Sequence, residues 1–174
     1  MTVESQIAKP HYPGISIRNF GRVTDNFYRG GQPRVEEYGQ LPVMGIKTVI
    51  DLTDEHDHQG YAQAAIAKAG LMSHWLPMSD RDYPSETCAQ TFLDTVEGIK
   101  HHPVLWQPVF VHCAGGRHRT GAMIAVYRMK VDGWDLKRAM KELESYFGFW
   151  HGWWGHQQIK KFVEDYWAKI QEGK

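Results

Sequence analysis

Cysteine is almost absent from this chain: Cys88 and Cys113 are the only two in 174 residues. Two cysteines cannot build a disulfide framework, and their separation does not match a zinc-site spacing. Net charge is also missing, because 20 basic residues are balanced by 20 acidic ones. A neutral balance removes any general pull toward nucleic acid or a membrane surface, so anion binding must come from a local cluster. No apolar run is long enough to span a bilayer, and no integral membrane association is expected. The opening MTVESQIAKPHYPG has neither a basic n-region nor an apolar h-region. A signal peptide is therefore not expected and a cytoplasmic location is, with the periplasm or exterior open if a leader has been cleaved. No internal repeat and no low-complexity linker divides the chain.

The length suits one domain, and 42% hydrophobic with 23% charged residues is the composition of an ordinary globular protein. Residues 1–20, with Pro10, Pro13 and Gly14, read as a loosely ordered segment, and 21–174 as the domain. Strands are expected at 26–29, 46–52, 71–76 and 109–112, where β-branched and aromatic residues gather. Helices are expected over 35–44 (weakened by Pro42 and capped by Gly45), 59–69, about 86–100 behind a Ser85 cap, 120–129, 134–147 and 156–170. Helices alternating with short strands predict an α/β layer fold with a central mixed sheet flanked by helices. A monomer is expected.

One stretch stands apart: VFVHCAGGRHRTGAMIAVY, residues 109–127. It reads as strand, then loop, then helix. A loop at a helix N-terminus presents backbone N–H groups and the positive end of the helix dipole, which together make an anion site. Gly115 and Gly116 let that backbone curl. Arg119 can grip two oxygens of a phosphate-like group. Cys113, at the base of this cradle, sits in a field that favours the nucleophilic thiolate. Ala114, Gly115, Gly116, Arg117, His118, Arg119 and Thr120 are therefore the candidate phosphate-binding residues. Thr120 can donate to the thiolate, and His112 supports the cradle rather than acting as a base. The donors and the arginine offset the anion's charge, so neither a metal nor a cofactor is needed.

His112-Cys113, five residues, then Arg119-Thr120-Gly121 resembles the signature of the cysteine-dependent protein tyrosine phosphatase superfamily. NFYRGGQP (26–33) and GIKTVIDLTDE (45–55) resemble the opening of the atypical dual-specificity phosphatases of plants, fungi and bacteria. The resemblance covers roughly residues 20–147. It implies the compact dual-specificity phosphatase fold and phosphomonoester hydrolysis through a phosphocysteine. It also implies a carboxylic acid some thirty residues before the cysteine, to protonate the leaving group. Asp80 and Asp82 both satisfy that spacing. Asp80 begins an Asp-x-x-x-Pro pattern ending at Pro84, while Asp82 keeps the offset from Leu76 found in other relatives. Asp80 is preferred and Asp82 is the alternative. A non-catalytic phosphate-binding module and a rhodanese-like sulfurtransferase are the competing classes.

The substrate is less constrained. Extra cations at Arg117 and His118 suit inositol phosphates or pyrophosphates, as the resemblance to plant and fungal members implies; an ordinary phosphorylated protein is the other expectation. Arg29 and Arg81 are candidates for a positive rim. The aromatic stretch YFGFWHGWWGH (146–156) reads as a cap on the core or an access rim. DEHDH (54–58) has metal-ligand residue types, but His56 and His58 do not share a helix face. Cys88 reads as a small buried residue, with a disulfide to Cys113 as the redox alternative.

Overall fold

The computed structural model describes residues 12–54, 56–79, 83–102, 107–147 and 154–173. A five-stranded mixed sheet lies at its centre, in the order β1-β2-β5-β3-β4. The strands are β1 (Gly21–Thr24), β2 (Phe27–Gly31), β3 (Thr48–Asp51), β4 (Met72–Trp75) and β5 (Val109–Cys113). β1 and β2 form an antiparallel hairpin; β2, β5, β3 and β4 run parallel. The helices are α1 (His56–Lys68), α2 (Glu86–His101), α3 (His118–Lys130), α4 (Leu136–Glu144) and α5 (Trp154–Glu172). The expected α/β architecture is the one found.

Strand alternation divides the core into two layers. On β5, Val109, Val111 and Cys113 face a cluster built with α2, α3, α4 and α5, whose members include Phe92, Met123, Leu143 and Phe162. Phe110 faces the other way, into a smaller cluster with Tyr38, Val49 and Ile66. α3 lies deepest, with every residue from Arg119 to Met129 buried. A helix enclosed on all sides cannot shift without repacking its neighbours. That rigidity bears directly on the loop at its N-terminus.

Several boundaries differ from expectation, each for a local reason. β1 went unforeseen because GRVT is too short to show alternation; hydrogen bonding across the hairpin defines it. The helix expected over 35–44 is two 3-10 turns, Val35–Gln40 and Pro42–Met44, because Pro42 has no N–H to continue one ladder. Gly45 does cap the second, at φ 74°. α3 starts at His118 rather than Thr120, and Asp135 accepts from the Arg138 N–H to cap α4. Residues 12–20 are not loose: Ile17 and Phe20 are buried, and the Phe20 ring stacks on Tyr28 and Phe110. Packed structure thus extends N-terminal to residue 21, the boundary drawn from sequence.

The parallel strands all end at one edge of the sheet, which is where ligands bind in such folds. The loops after β2, β3, β4 and β5 leave from that edge, so residues distant in sequence converge there. Phe92 ties α2 to the sheet beneath them, its ring 6.3 Å from that of Phe27. Phe92→Ala should cost about 3–5 kcal/mol in urea unfolding, since that buried ring leaves a cavity the enclosed core cannot fill.

Candidate active site

Cys113 is the last residue of β5 and only 3% exposed. The loop from Ala114 to Arg117 carries the chain from it into α3. Three consecutive carbonyls of this loop are tied outward. The Ala114 carbonyl accepts from the Gln32 N–H at 3.2 Å and from Arg18 Nη2 at 3.4 Å. The Gly115 carbonyl accepts from Asn19 Nδ2 at 2.8 Å, and the Gly116 carbonyl from Arg29 Nη2 at 2.8 Å. In a trans peptide the C=O and N–H point opposite ways. Holding these three oxygens outward therefore aims the N–H groups of Gly115, Gly116 and Arg117 inward. The first N–H groups of α3 have no intrahelical partner and extend the same surface.

Of the two glycines, only Gly116 is required by geometry. It has φ 68°, and a Cβ there would sit 2.4 Å from the carbonyl carbon of Gly30 and the nitrogen of Gly31. A Cβ on Gly115 would meet nothing within 4 Å. The loop thus rests directly on the backbone of Gly30 and Gly31, the last two residues of β2.

Arg119 is 5% exposed. Its Nη1 donates to Asp54 Oδ1 and to the Met78 carbonyl, both at 3.0 Å. One end of the guanidinium is thereby fixed, and the remaining nitrogens can receive an oxyanion. Asp54 anchors Arg119; in sequence it reads as part of a metal-like motif or as an acid suited to a helix dipole. Among the described residues no group of three or more metal-ligating side chains exists. Asp54 is positioned by a braced turn: the Thr53 N–H donates to Asp51 Oδ1 at 2.8 Å, and Trp75 Nε1 to the Thr53 carbonyl at 2.7 Å. Its signal in sequence is an acid that closely follows a buried strand.

The other expected residues divide. Thr120 is fully buried, and its hydroxyl has no hydrogen-bond partner among the described residues. Arg117, half-buried, makes no hydrogen bond or ion pair among them. His118 turns inward, 4.7 Å from the His156 ring and edge-on to Phe147 at 5.7 Å. Phe147 in turn stacks on His156 at 4.1 Å. Burial, followed by the charges of His156, Arg117 and Arg119, pushes the His118 pKa down to about 4. His118 is therefore neutral at neutral pH and adds no charge to the cradle. His112 is buried on the other face of β5, stacked with Phe110 at 5.7 Å, and burial lowers its pKa too.

Arg29 was expected at a positive rim and is instead 1% exposed, beneath the loop. It points inward because β2 lies inside the sheet, where the face carrying Phe27 and Arg29 is covered by α3. Phe147 joins the core as a cap; residues 148–153 of the aromatic stretch lie outside the described residues. So do Asp80, Arg81 and Asp82. Cys88 is half-buried and accepts from Ser85 Oγ at 3.1 Å, and both cysteines are free thiols.

A model of the family described as "DSP-PTPase phosphatase fused to NAD+ Kinase" matches residues 17–149. The chain belongs to this phosphatase family. It is a cysteine phosphatase of the atypical dual-specificity type. Inositol diphosphatase DSP5 of Arabidopsis thaliana is 26% identical over 152 residues, covering 85% of this chain and 69% of that protein. Dual specificity protein phosphatase TpbA of Pseudomonas aeruginosa is 28% identical over 148 residues, covering 85% of this chain and 61% of that protein. In structure, TpbA covers 94% of the phosphatase with a TM-score of 0.70 at 24% identity, over 92% of its own chain. The catalytic core of the Saccharomyces cerevisiae PP-IP phosphatase SIW14 covers 91% at a TM-score of 0.69 and 23% identity, over 94% of its own chain. These structural likenesses establish the fold.

Two outcomes follow for the phosphatase. Gly116→Ala should destabilise by about 2–4 kcal/mol in urea unfolding, from a strained φ and a backbone clash, while Gly115→Ala costs under about 1 kcal/mol. The unfolded His118 takes up its proton near 6.5 and the folded one only near 4. The unfolded state thus binds more protons in that window, and stability, complete above it, declines as pH falls through it. Buried His112 acts in the same direction. The drop in Tm between pH 6.5 and 4 should be shallower in His118→Gln than in the wild type.

Proposed function

We propose that the phosphatase hydrolyses phosphate esters and anhydrides without a metal, through a phosphocysteine on Cys113, and that inositol pyrophosphates are its preferred substrate class. The observation that carries the chemistry is the loop itself: three carbonyls tied outward over a buried cysteine, with an anchored arginine at its far end. The inward N–H groups and Arg119 hold the non-bridging oxygens, whose charge grows in the transition state. The Cys113 thiolate attacks phosphorus in line, and the bond to the leaving oxygen breaks. A carboxylic acid gives that oxygen its proton. Water then attacks the phosphocysteine, the carboxylate takes a proton from it, and the sulfur leaves as thiolate. The Thr120 hydroxyl donates to that sulfur.

For the acid we retain Asp80 over Asp82. In sequence, Met78, whose carbonyl is bonded to Arg119, lies two positions before Asp80. The substrate assignment rests on Arg117, a cation beside the cradle that no described side chain neutralises. Relatives named as inositol diphosphatases in Arabidopsis thaliana are consistent with it. A phosphotyrosyl protein is the second reading, supported by the structural relative TpbA, solved as a Cys-to-Ser variant with phosphotyrosine.

With chelator present, wild-type enzyme should release phosphate from both p-nitrophenyl phosphate and inositol pyrophosphates, with the higher kcat/KM on the latter. Cys113→Ser should abolish turnover and keep tungstate binding. No turnover by the wild type, with tungstate bound tightly, would make this a binding module; cyanide-dependent thiosulfate cleavage would make it a sulfurtransferase. Asp80→Asn should slow aryl phosphate hydrolysis by roughly a hundredfold or more. It should slow pyrophosphate hydrolysis less, because a departing phosphate is a weak base and needs its proton less. If Asp82→Asn shows this pattern instead, Asp82 is the acid.

A further inference from the structure

Arg29 is the most enclosed cation among the described residues. It lies on β2 with its Cα opposite Val111 of β5, and its guanidinium runs beneath the phosphate loop. Nη2 donates to the Gly116 carbonyl at 2.8 Å. The guanidinium lies over the Tyr146 ring, 3.6 Å from its centroid. Nε and Nη1 are buried and have no hydrogen-bond partner among the described residues.

No carboxylate among the described residues makes an ion pair with Arg29. Glu142, the acid that Arg29 senses from α4, is held by Arg128 of α3 through two hydrogen bonds, at 2.9 and 3.0 Å. Arg128 also takes Asp132 at 2.7 Å. The charged and titratable groups around Arg29 are therefore Tyr146 and Glu142 on the α4 side, Arg128 on α3, and Cys113 on β5. An arginine held this deep without a counter-ion is costly, and folds keep such groups where the charge has a use.

We propose that Arg29 is a positioning residue of the phosphatase: its hydrogen bond holds the Gly116 carbonyl outward, so that the Arg117 N–H faces the phosphoryl group. This rests on the reading of the loop as the cradle of a phosphatase with Cys113 as nucleophile. Gly21 and Gly121 make room for the arrangement. A Cβ on Gly21 would collide with the Tyr146 hydroxyl, and one on Gly121 would meet Leu143 and lie 3.7 Å from Arg29 Nη2.

The test combines Arg29→Met and Arg29→Lys with kinetics and with tungstate binding, which reads the loop without turnover. Arg29→Met removes the donor but keeps an unbranched apolar stem, and should retain the wild-type Tm or exceed it in anion-free buffer. Its kcat should fall tenfold or more with KM changed less than threefold, and the rise in Tm on adding tungstate should shrink. Arg29→Lys restores a charge but not the reach to Gly116, so neither should recover. A folded Arg29→Met with wild-type kcat and tungstate response would overturn the proposal; if that variant does not fold, the same result in Arg29→Lys is equally decisive. Turnover surviving in Cys113→Ser would remove the nucleophile reading, while tungstate binding would still report whether Arg29 shapes the loop.

Discussion

The site depends on where three carbonyl oxygens point. Ala114, Gly115 and Gly116 could as easily have turned them toward a ligand, and an anion would then have met a wall of negative dipoles. The donors that prevent this come from one neighbouring region: Gln32 and Arg29 at the end of β2, and Arg18 and Asn19 just before β1. The opening hairpin of the chain thus aims the amides of a loop almost a hundred residues later. A hydrogen bond to a carbonyl contributes modestly to stability. Its larger effect here is to choose one of two orientations for each peptide plane.

The same economy governs charge. The molecule is neutral overall, yet cations gather around one loop. Arg119 is anchored by Asp54 at a single nitrogen, Arg117 stands at the edge without a partner among the described residues, and Arg29 lies beneath. Their roles differ because their surroundings differ. Arg119 is held by a half-buried carboxylate and keeps nitrogens for an oxyanion. Arg29 meets a ring and a carbonyl in place of an acid. His118, next to both Arg117 and Arg119, is kept neutral by burial against Phe147 and His156. The positive field around this loop is built by leaving Arg117 and Arg29 without a carboxylate partner among the described residues and by keeping His118 neutral.

Much of this was legible beforehand. The strand-loop-helix order, the cysteine after an apolar run and the arginine before the helix all lie within eleven residues, so local pattern sufficed for them. The β-branched run at 46–52 and the Gly45 cap carried the adjoining strand with similar clarity. Asp54 was missed because its partner is 65 positions away, and an acid after a strand looks the same whether it meets a metal, a helix dipole or an arginine. Arg29 was misjudged for a related reason. In NFYRGGQP it reads as the last residue of a short strand, a place for a rim cation, and only the position of that strand inside the sheet, covered by α3, buries it. His118 and Arg117, adjacent in sequence, were treated as a pair, but consecutive positions at a helix start point in different directions.

The sequence by itself determined the reaction class and the place of the cradle, because a nucleophile, glycines, an arginine and a helix start must be contiguous to surround one phosphoryl group. Tertiary structure alone decided which residues outside that segment serve it. It brought Asp54 to Arg119, put Arg29 under Gly116, and turned His118 toward Phe147 and His156. Those choices belong to the sheet order β1-β2-β5-β3-β4. It sets β2 on one side of β5 and β3 on the other, and so delivers the donor for the loop's carbonyl and the acid for its arginine from opposite flanks of the cysteine. Pairing between distant strands is fixed by the packing of whole layers, and no local stretch of sequence carries it.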